Sequence, residues 1–115
     1  NYTSVADCGK FLKEIYEICN GTSQSSGLSH AEDMYALLKQ QQRTNKIPAA
    51  LPAGVQVANK TGELSDVEND VGILYNTALG NDLVICFMSE NLNDTQAAQN
   101  TIAQLSSIIY SSYNE

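Results

Sequence analysis

Leu51-Pro52-Ala53-Gly54-Val55-Gln56-Val57-Ala58-Asn59-Lys60-Thr61-Gly62-Glu63 is the stretch on which the fold turns. Pro52 and Gly54 mark a turn, and residues 55–59 then form an apolar strand that Lys60-Thr61-Gly62 closes. Asn69-Asp70-Val71-Gly72-Ile73-Leu74-Tyr75 reads as the returning arm of a hairpin. Residues 71–75 and 83–88 are apolar on both faces, which predicts a sheet covered on both sides. Gly80-Asn81-Asp82 predicts the turn that joins them.

Helical periodicity brackets this meander. Ser4 is placed as an N-cap with Asp7 at the third helical position. Val5, Cys8, Leu12, Ile15 and Cys19 form one face, and Asn20-Gly21 stops the helix. A polar loop is expected at 22–28. Ser29-His30-Ala31-Glu32 has the pattern of a capping box, opening a second helix that buries Met34, Leu37 and Leu38 with Gln41 at the rim. Pro48 and Pro52 confine the following chain to short turns. Asn93 or Asp94 caps a last helix with Ala98, Ile102, Leu105 and Ile109 as its stripe and Tyr113 one turn on. The order predicts an α+β unit, an antiparallel three-stranded meander flanked by helices. Residues 1–52 are its helical part, 53–92 the sheet and 93–115 the C-terminal helix.

Composition excludes several functions. A net charge of −7 and a pI near 4.4 leave no basic patch for nucleic acid. The six basic residues are scattered, with Lys10, Lys13, Lys39, Arg43 and Lys46 on or near predicted helices, so no face favours an anionic membrane. The chain begins at Asn1 with no leader-like pattern, so no signal peptide is expected within it. Its longest apolar run, 83–88, is too short to span a bilayer. Cys8, Cys19 and Cys86 are odd in number and widely spaced, which argues for free thiols.

Other chemical candidates read blandly. His30, the only histidine, falls in a solvated first turn beside Glu32 and Asp33. Asp66, Glu68 and Asp70 alternate like calcium ligands but lack the loop glycine and distal glutamate of a calcium-binding loop. Of the sequons at Asn1, Asn20, Asn59 and Asn93, that at Asn59 lies in the central strand, where a glycan has no room. The six tyrosines are dispersed and suggest helix packing with polar tips.

The chain resembles the C-terminal half of class A β-lactamase-like proteins, the penicillin-recognising serine hydrolases, nearly end to end. Asn1-Tyr2-Thr3-Ser4 with Ala6-Asp7 resembles the segment that leaves the family's omega loop. Leu51-Pro52-Ala53-Gly54 resembles its Leu-Pro-x-Gly strand entry, and Lys60-Thr61-Gly62 its Lys-Thr-Gly signature. Asn69-Asp70-Val71-Gly72 resembles the next strand, and the last helix the one that packs on the sheet.

The resemblance implies a serine hydrolase acting by acyl transfer on a β-lactam or a peptidoglycan-like peptide, without metal or other cofactor. In it Lys60 attracts the substrate carboxylate, Thr61 donates a hydroxyl to it, Gly62 admits the ligand close to the backbone, and the Glu63 N–H is an oxyanion donor. No Ser-x-x-Lys or Ser-Asp-Asn occurs, since Ser65-Asp66-Val67 falls in the hairpin. The nucleophile then belongs to a missing N-terminal half, and this chain is expected to be inactive alone. Glu68 stands where many relatives carry an arginine, a carboxylate that repels an anionic substrate unless it points away. That leaves open a non-catalytic binding or structural domain. The resemblance also implies an extracytoplasmic location, secreted or membrane-anchored. In the family the strand at 83–88 pairs with strands of the amino half. Alone, it leaves an apolar edge that predicts a homodimer or domain swap.

Overall fold

The computed structural model describes residues 2–23 and 28–115; most of the expected 22–28 loop thus lies outside the described residues. The elements in chain order are α1 (Val5–Cys19), α2 (Ala31–Lys39), a short 3-10 turn (Ile47–Ala50), β1 (Gln56–Leu64), β2 (Val67–Tyr75), β3 (Leu83–Ser89) and α3 (Thr95–Asn114). The sheet is an antiparallel meander in the order β1-β2-β3. Gly54 turns the chain into β1 with φ +93°, a value that a side chain disfavours.

Strand alternation divides the sheet into two packed faces. On one, Ala58 and Ile73 meet Leu12 and Ile15 of α1 and Tyr35 of α2. On the other, Leu74 and Ile85 meet Ile102 and Tyr110 of α3 and Ile47 of the 3-10 turn. The two-sided cover predicted from the apolar strands is therefore present, with α1 and α2 on one side and α3 on the other.

Both long helices are capped by side chains. Ser4 Oγ accepts from the Asp7 N–H at 3.1 Å, as its place predicted. Asp94, not Asn93, caps α3, accepting from the Ala97 N–H at 3.0 Å.

Several expectations need correction. Lys60-Thr61-Gly62 lies inside β1, which runs on to Leu64, and β2 begins as early as Val67. The capping box does not form. His30 adopts a left-handed conformation (φ 65°) ahead of Ala31 and makes no side-chain cap bond, whereas an N-cap needs an extended backbone. In α2 the buried residues are Ala31 and Tyr35, while Leu37 is 70% exposed. The buried face of α3 is Ile102, Ala103, Ser106, Tyr110 and Asn114, so Leu105 and Tyr113 are exposed. Ser106 and Asn114 are tolerated inside because their polar atoms are bonded. Ser106 Oγ donates to the Ile102 carbonyl at 2.8 Å, and Asn114 Nδ2 to the Asn81 carbonyl at 3.2 Å. Three tyrosines also gather. The Tyr35 ring meets Tyr16 and Tyr75 edge-on at 6.5 and 5.7 Å, and Lys39 Nζ sits 4.1 Å over Tyr35.

Candidate functional site

Lys60, Thr61, Gly62 and Glu63 occupy the C-terminal half of β1, which has β2 on one side only. Its other edge is directional. The Asn59 carbonyl accepts from Gln41 Nε2 at 3.2 Å, so it points away from β2. Backbone groups of an antiparallel strand alternate in direction, so the N–H and C=O of Thr61 and Glu63 point the same way as those of Asn59. Gln41, foreseen at the rim of α2, thus covers one end of that edge.

The side chains alternate across the two faces. Lys60 and Gly62 share a face with Ala58, toward α1 and α2, whereas Thr61 and Glu63 face the α3 side. Lys60 is exposed, and its Nζ folds over to donate to the Thr61 carbonyl at 2.6 Å. The ammonium therefore rests at the free edge itself. Thr61 is largely buried on the opposite face, opposite Asp70 of β2.

The glycines of the hairpin differ in what requires them. A Cβ on Gly72 would lie 2.9 Å from Asn59 Cβ and 3.2 Å from the Ala58 carbonyl oxygen, so packing within this chain demands glycine there. A Cβ on Gly62 would meet only Asn69, at 3.6 Å or more, an ordinary contact. Nothing among the described residues excludes a side chain at Gly62.

Under the α3 side lies a network of charges that sequence reasoning missed. Lys46, read from the sequence only as one of the scattered basic residues on or near predicted helices, is wholly buried. Its Nζ lies 3.0 Å from Glu63 Oε1 and 2.9 Å from Glu68 Oε2. Gln99 of α3 donates to the other Glu68 oxygen at 2.9 Å, and Arg43 reaches Glu63 at 2.9 Å. The bonded Lys46 ammonium holds the Glu63 carboxyl below the usual carboxylate range, with Arg43 adding to the pull. Glu68 points away from the Lys60 face, and its charge is matched by Lys46, so it presents no bare carboxylate to the edge of β1. Asp70 accepts from the Ile47 N–H and from Asn59 Nδ2, both at 3.0 Å. Burial pushes its carboxyl up despite those bonds. The one sequence signal for this network is the alternation of Asp66, Glu68 and Asp70, which the sequence reading likens to calcium ligands and sets aside for want of the loop glycine and distal glutamate. The structure gives the Glu68 and Asp70 carboxylates to Lys46, Gln99, Asn59 and Ile47. Asn59, an expected dead sequon, is buried in the same way.

The remaining candidates lie elsewhere. His30 is exposed at the start of α2, 3.6 Å from Asp33. The cysteines are free and half-buried, and burial pushes the Cys86 thiol up to about 11. Among the described residues no group of three or more His, Cys, Asp or Glu is arranged to hold a metal, and no helix is long and apolar enough to cross a membrane.

Comparison with known proteins places this geometry. No curated protein matches the chain. Among solved structures, the β-lactamase of Sphaerobacter thermophilus is 28% identical with a TM-score of 0.76, over 93% of this chain and 39% of its own. PBP-A is 24% identical with a TM-score of 0.79, over 96% and 40%. A β-lactamase of Chitinophaga pinensis is 22% identical with a TM-score of 0.81, over 99% and 43%. The chain thus spans about two fifths of the length of the solved chains it matches. The α+β arrangement is that of the corresponding part of the β-lactamase and penicillin-binding-protein fold. The sequence profile of the beta-lactamase enzyme family matches residues 1–113, and the chain belongs to that family.

Proposed function

We propose that this chain forms the substrate-facing wall of a serine hydrolase that acts by acyl transfer on a β-lactam or a peptidoglycan-like peptide. The observation that carries the reading is convergence at one strand edge. The Lys60 ammonium rests at the free edge of β1, beside outward-pointing backbone groups of Thr61 and Glu63. A ligand laid along that edge meets Lys60 from one face and the Thr61 hydroxyl from the other. The substrate carboxylate draws Lys60 Nζ away from its bond to the Thr61 carbonyl, and Thr61 donates a second hydrogen bond to that carboxylate. Gly62, where an added Cβ meets only ordinary contacts among the described residues, lets the ligand approach the backbone. The Glu63 N–H then serves as one oxyanion donor, a contribution of roughly 3 kcal/mol to the barrier.

The nucleophile and its base come from polypeptide outside these residues, the N-terminal remainder of the same fold. The parent acts outside the cytoplasm, secreted or membrane-anchored, where such substrates occur. The outer edge of β3 pairs with a strand of that remainder, or with a second copy in a homodimer or swap when the remainder is absent. The non-catalytic alternative drew on the charge of Glu68. Neutralised by Lys46 and turned under the sheet, Glu68 leaves anion binding at the edge unopposed.

Treatment with a fluorescent penicillin tests the proposal. The 115-residue chain alone stays unlabelled, whereas the longer protein carrying a nucleophilic serine is labelled covalently. Stoichiometric labelling of the short chain would overturn it.

A further inference from the structure

We propose that Lys46 is a positioning residue for the reaction: it holds the Glu63 side chain, and that side chain holds the Glu63 N–H in place as an oxyanion donor. The inference rests on the reading above and gives the buried charges beneath β1 a role in catalysis.

An oxyanion donor has to stay within about 0.5 Å of its productive place. The N–H of residue 63 belongs to the peptide that joins Gly62 to Glu63. It points to the free edge, so the register pair Glu63 and Glu68 exchanges no backbone bond, and β2 holds that peptide from one side only. Gly62 has no side chain to pack on either face of the sheet. Leu64 is 70% exposed, and the strand ends with it. Of residues 62–64, Glu63 alone has a side chain that fastens the backbone to the rest of the fold.

That fastening is two-handed. Glu63 Oε1 lies 3.0 Å from Lys46 Nζ, and Oε2 lies 2.9 Å from Arg43 Nη1. Arg43 is exposed, whereas Lys46 is wholly buried, so Lys46 is the rigid anchor of the two. Lys46 is itself held at 2.9 Å by Glu68, whose other oxygen accepts from Gln99 of α3 at 2.9 Å. The backbone beside it is fixed as well, since the Ile47 N–H donates to buried Asp70 at 3.0 Å. A line of short bonds therefore runs from α3 through Glu68 and Lys46 to the edge of β1. Stability gives no reason for it, because well-packed apolar residues of similar volume often serve a fold as well as a buried ion network or better. Holding one backbone donor still at the end of an edge strand does.

The test is made in the longer protein carrying a nucleophilic serine. Fluorescent penicillin labelling is followed over a range of concentrations, which separates initial binding from the acylation rate constant. In Glu63→Ala, Lys46 keeps its bond to Glu68, so no buried charge loses its last partner. The acylation rate constant of this variant is expected to fall about tenfold or more, with initial binding changed by less than about twofold. Glu63→Gln keeps an oxygen that accepts from Lys46 and recovers part of the rate. If Glu63→Ala does not fold, Glu63→Thr takes its place, being suited to a strand and too short to reach Lys46. Tyr16→Phe is the control. It removes the 2.6 Å bond to Asp82 at the opposite end of the sheet, lowering the melting temperature and leaving the acylation rate unchanged. A rate constant in Glu63→Ala within about twofold of the parent value, or a loss carried wholly by weaker binding, overturns the positioning role and leaves the functional reading in place. No labelling of the longer protein overturns the functional reading, and this inference with it.

Discussion

Lys46 Nζ lies 2.9 Å from Glu68 Oε2, and the lysine side chain is wholly sealed from solvent. The pair ties the segment before the 3-10 turn to β2, while the second contact of Lys46, to Glu63, ties it to β1. Removing the lysine leaves the buried Glu68 carboxylate without a cation, while Glu63 keeps Arg43. Lys46→Ala therefore costs about 3–5 kcal/mol of stability, the range for breaking a buried pair from one side. Urea denaturation measures it, and a loss under about 1 kcal/mol would assign the pair the small worth of a surface contact.

The Glu63 carboxyl gives this network a pH signature. Its folded value is lowered, first by the bond from Lys46, so the stability it confers is fully present above the ordinary glutamate value of about 4.3. That stability is lost as pH falls through the lower folded value. Glu63→Gln is expected to be less stable than the unaltered chain at neutral pH, with the gap closing as pH falls below the ordinary glutamate range. Asp70 runs oppositely: its value is raised by burial, so its protonation stabilises the fold as pH falls. Taking the difference between chain and variant removes the Asp70 contribution. A gap that stays constant from neutral to acid pH would show that the Glu63 charge is immaterial.

The two glycines of the hairpin make a matched pair of variants. Gly72→Ala forces a Cβ to within 2.9 Å of Asn59 Cβ and is expected to cost about 1–3 kcal/mol. Gly62→Ala meets only ordinary contacts and is expected to change stability by about 0.5 kcal/mol or less. If Gly62 serves ligand approach, its variant keeps the melting temperature and loses penicillin labelling of the longer protein. Equal destabilisation of the two variants would contradict this contrast.

Lys60→Ala separates binding from folding more directly. The side chain is exposed and, among the described residues, bonds only to the neighbouring Thr61 carbonyl, so stability shifts by about 0.5 kcal/mol at most. In the longer protein the rate of penicillin acylation is expected to fall by roughly a hundredfold or more. Acylation at the parent rate would remove Lys60 from the site.

Much of this fold was legible because its signals are local. Pro52 and Gly54 before an apolar run, and the Ser4 and Asp94 caps, each act within a few residues of themselves. What escaped depends on distant partners. Lys46 looks like any loop lysine until Glu63 and Glu68 are brought beside it. Counting apolar residues misplaced the α3 face because Ser106 and Asn114, though polar, are bonded inside. Leu37 was assigned to the core by its type, yet nothing among the described residues covers it. In the candidate site the residue types at Lys60 to Glu63 were readable, and so was their alternation across the strand, but not which face of β1 each takes. That required the helices packed on the two sides of the sheet.

The opposed placement of Lys60 and Thr61 has a stereochemical consequence. Cation, hydroxyl and the Glu63 amide are not related by any mirror plane along the strand, so the edge is handed. A ligand whose carboxylate and reactive carbonyl reach those groups in one configuration cannot bring both to the same places in the mirror-image one. Enantiomeric substrates should therefore be told apart by this wall before any nucleophile is engaged.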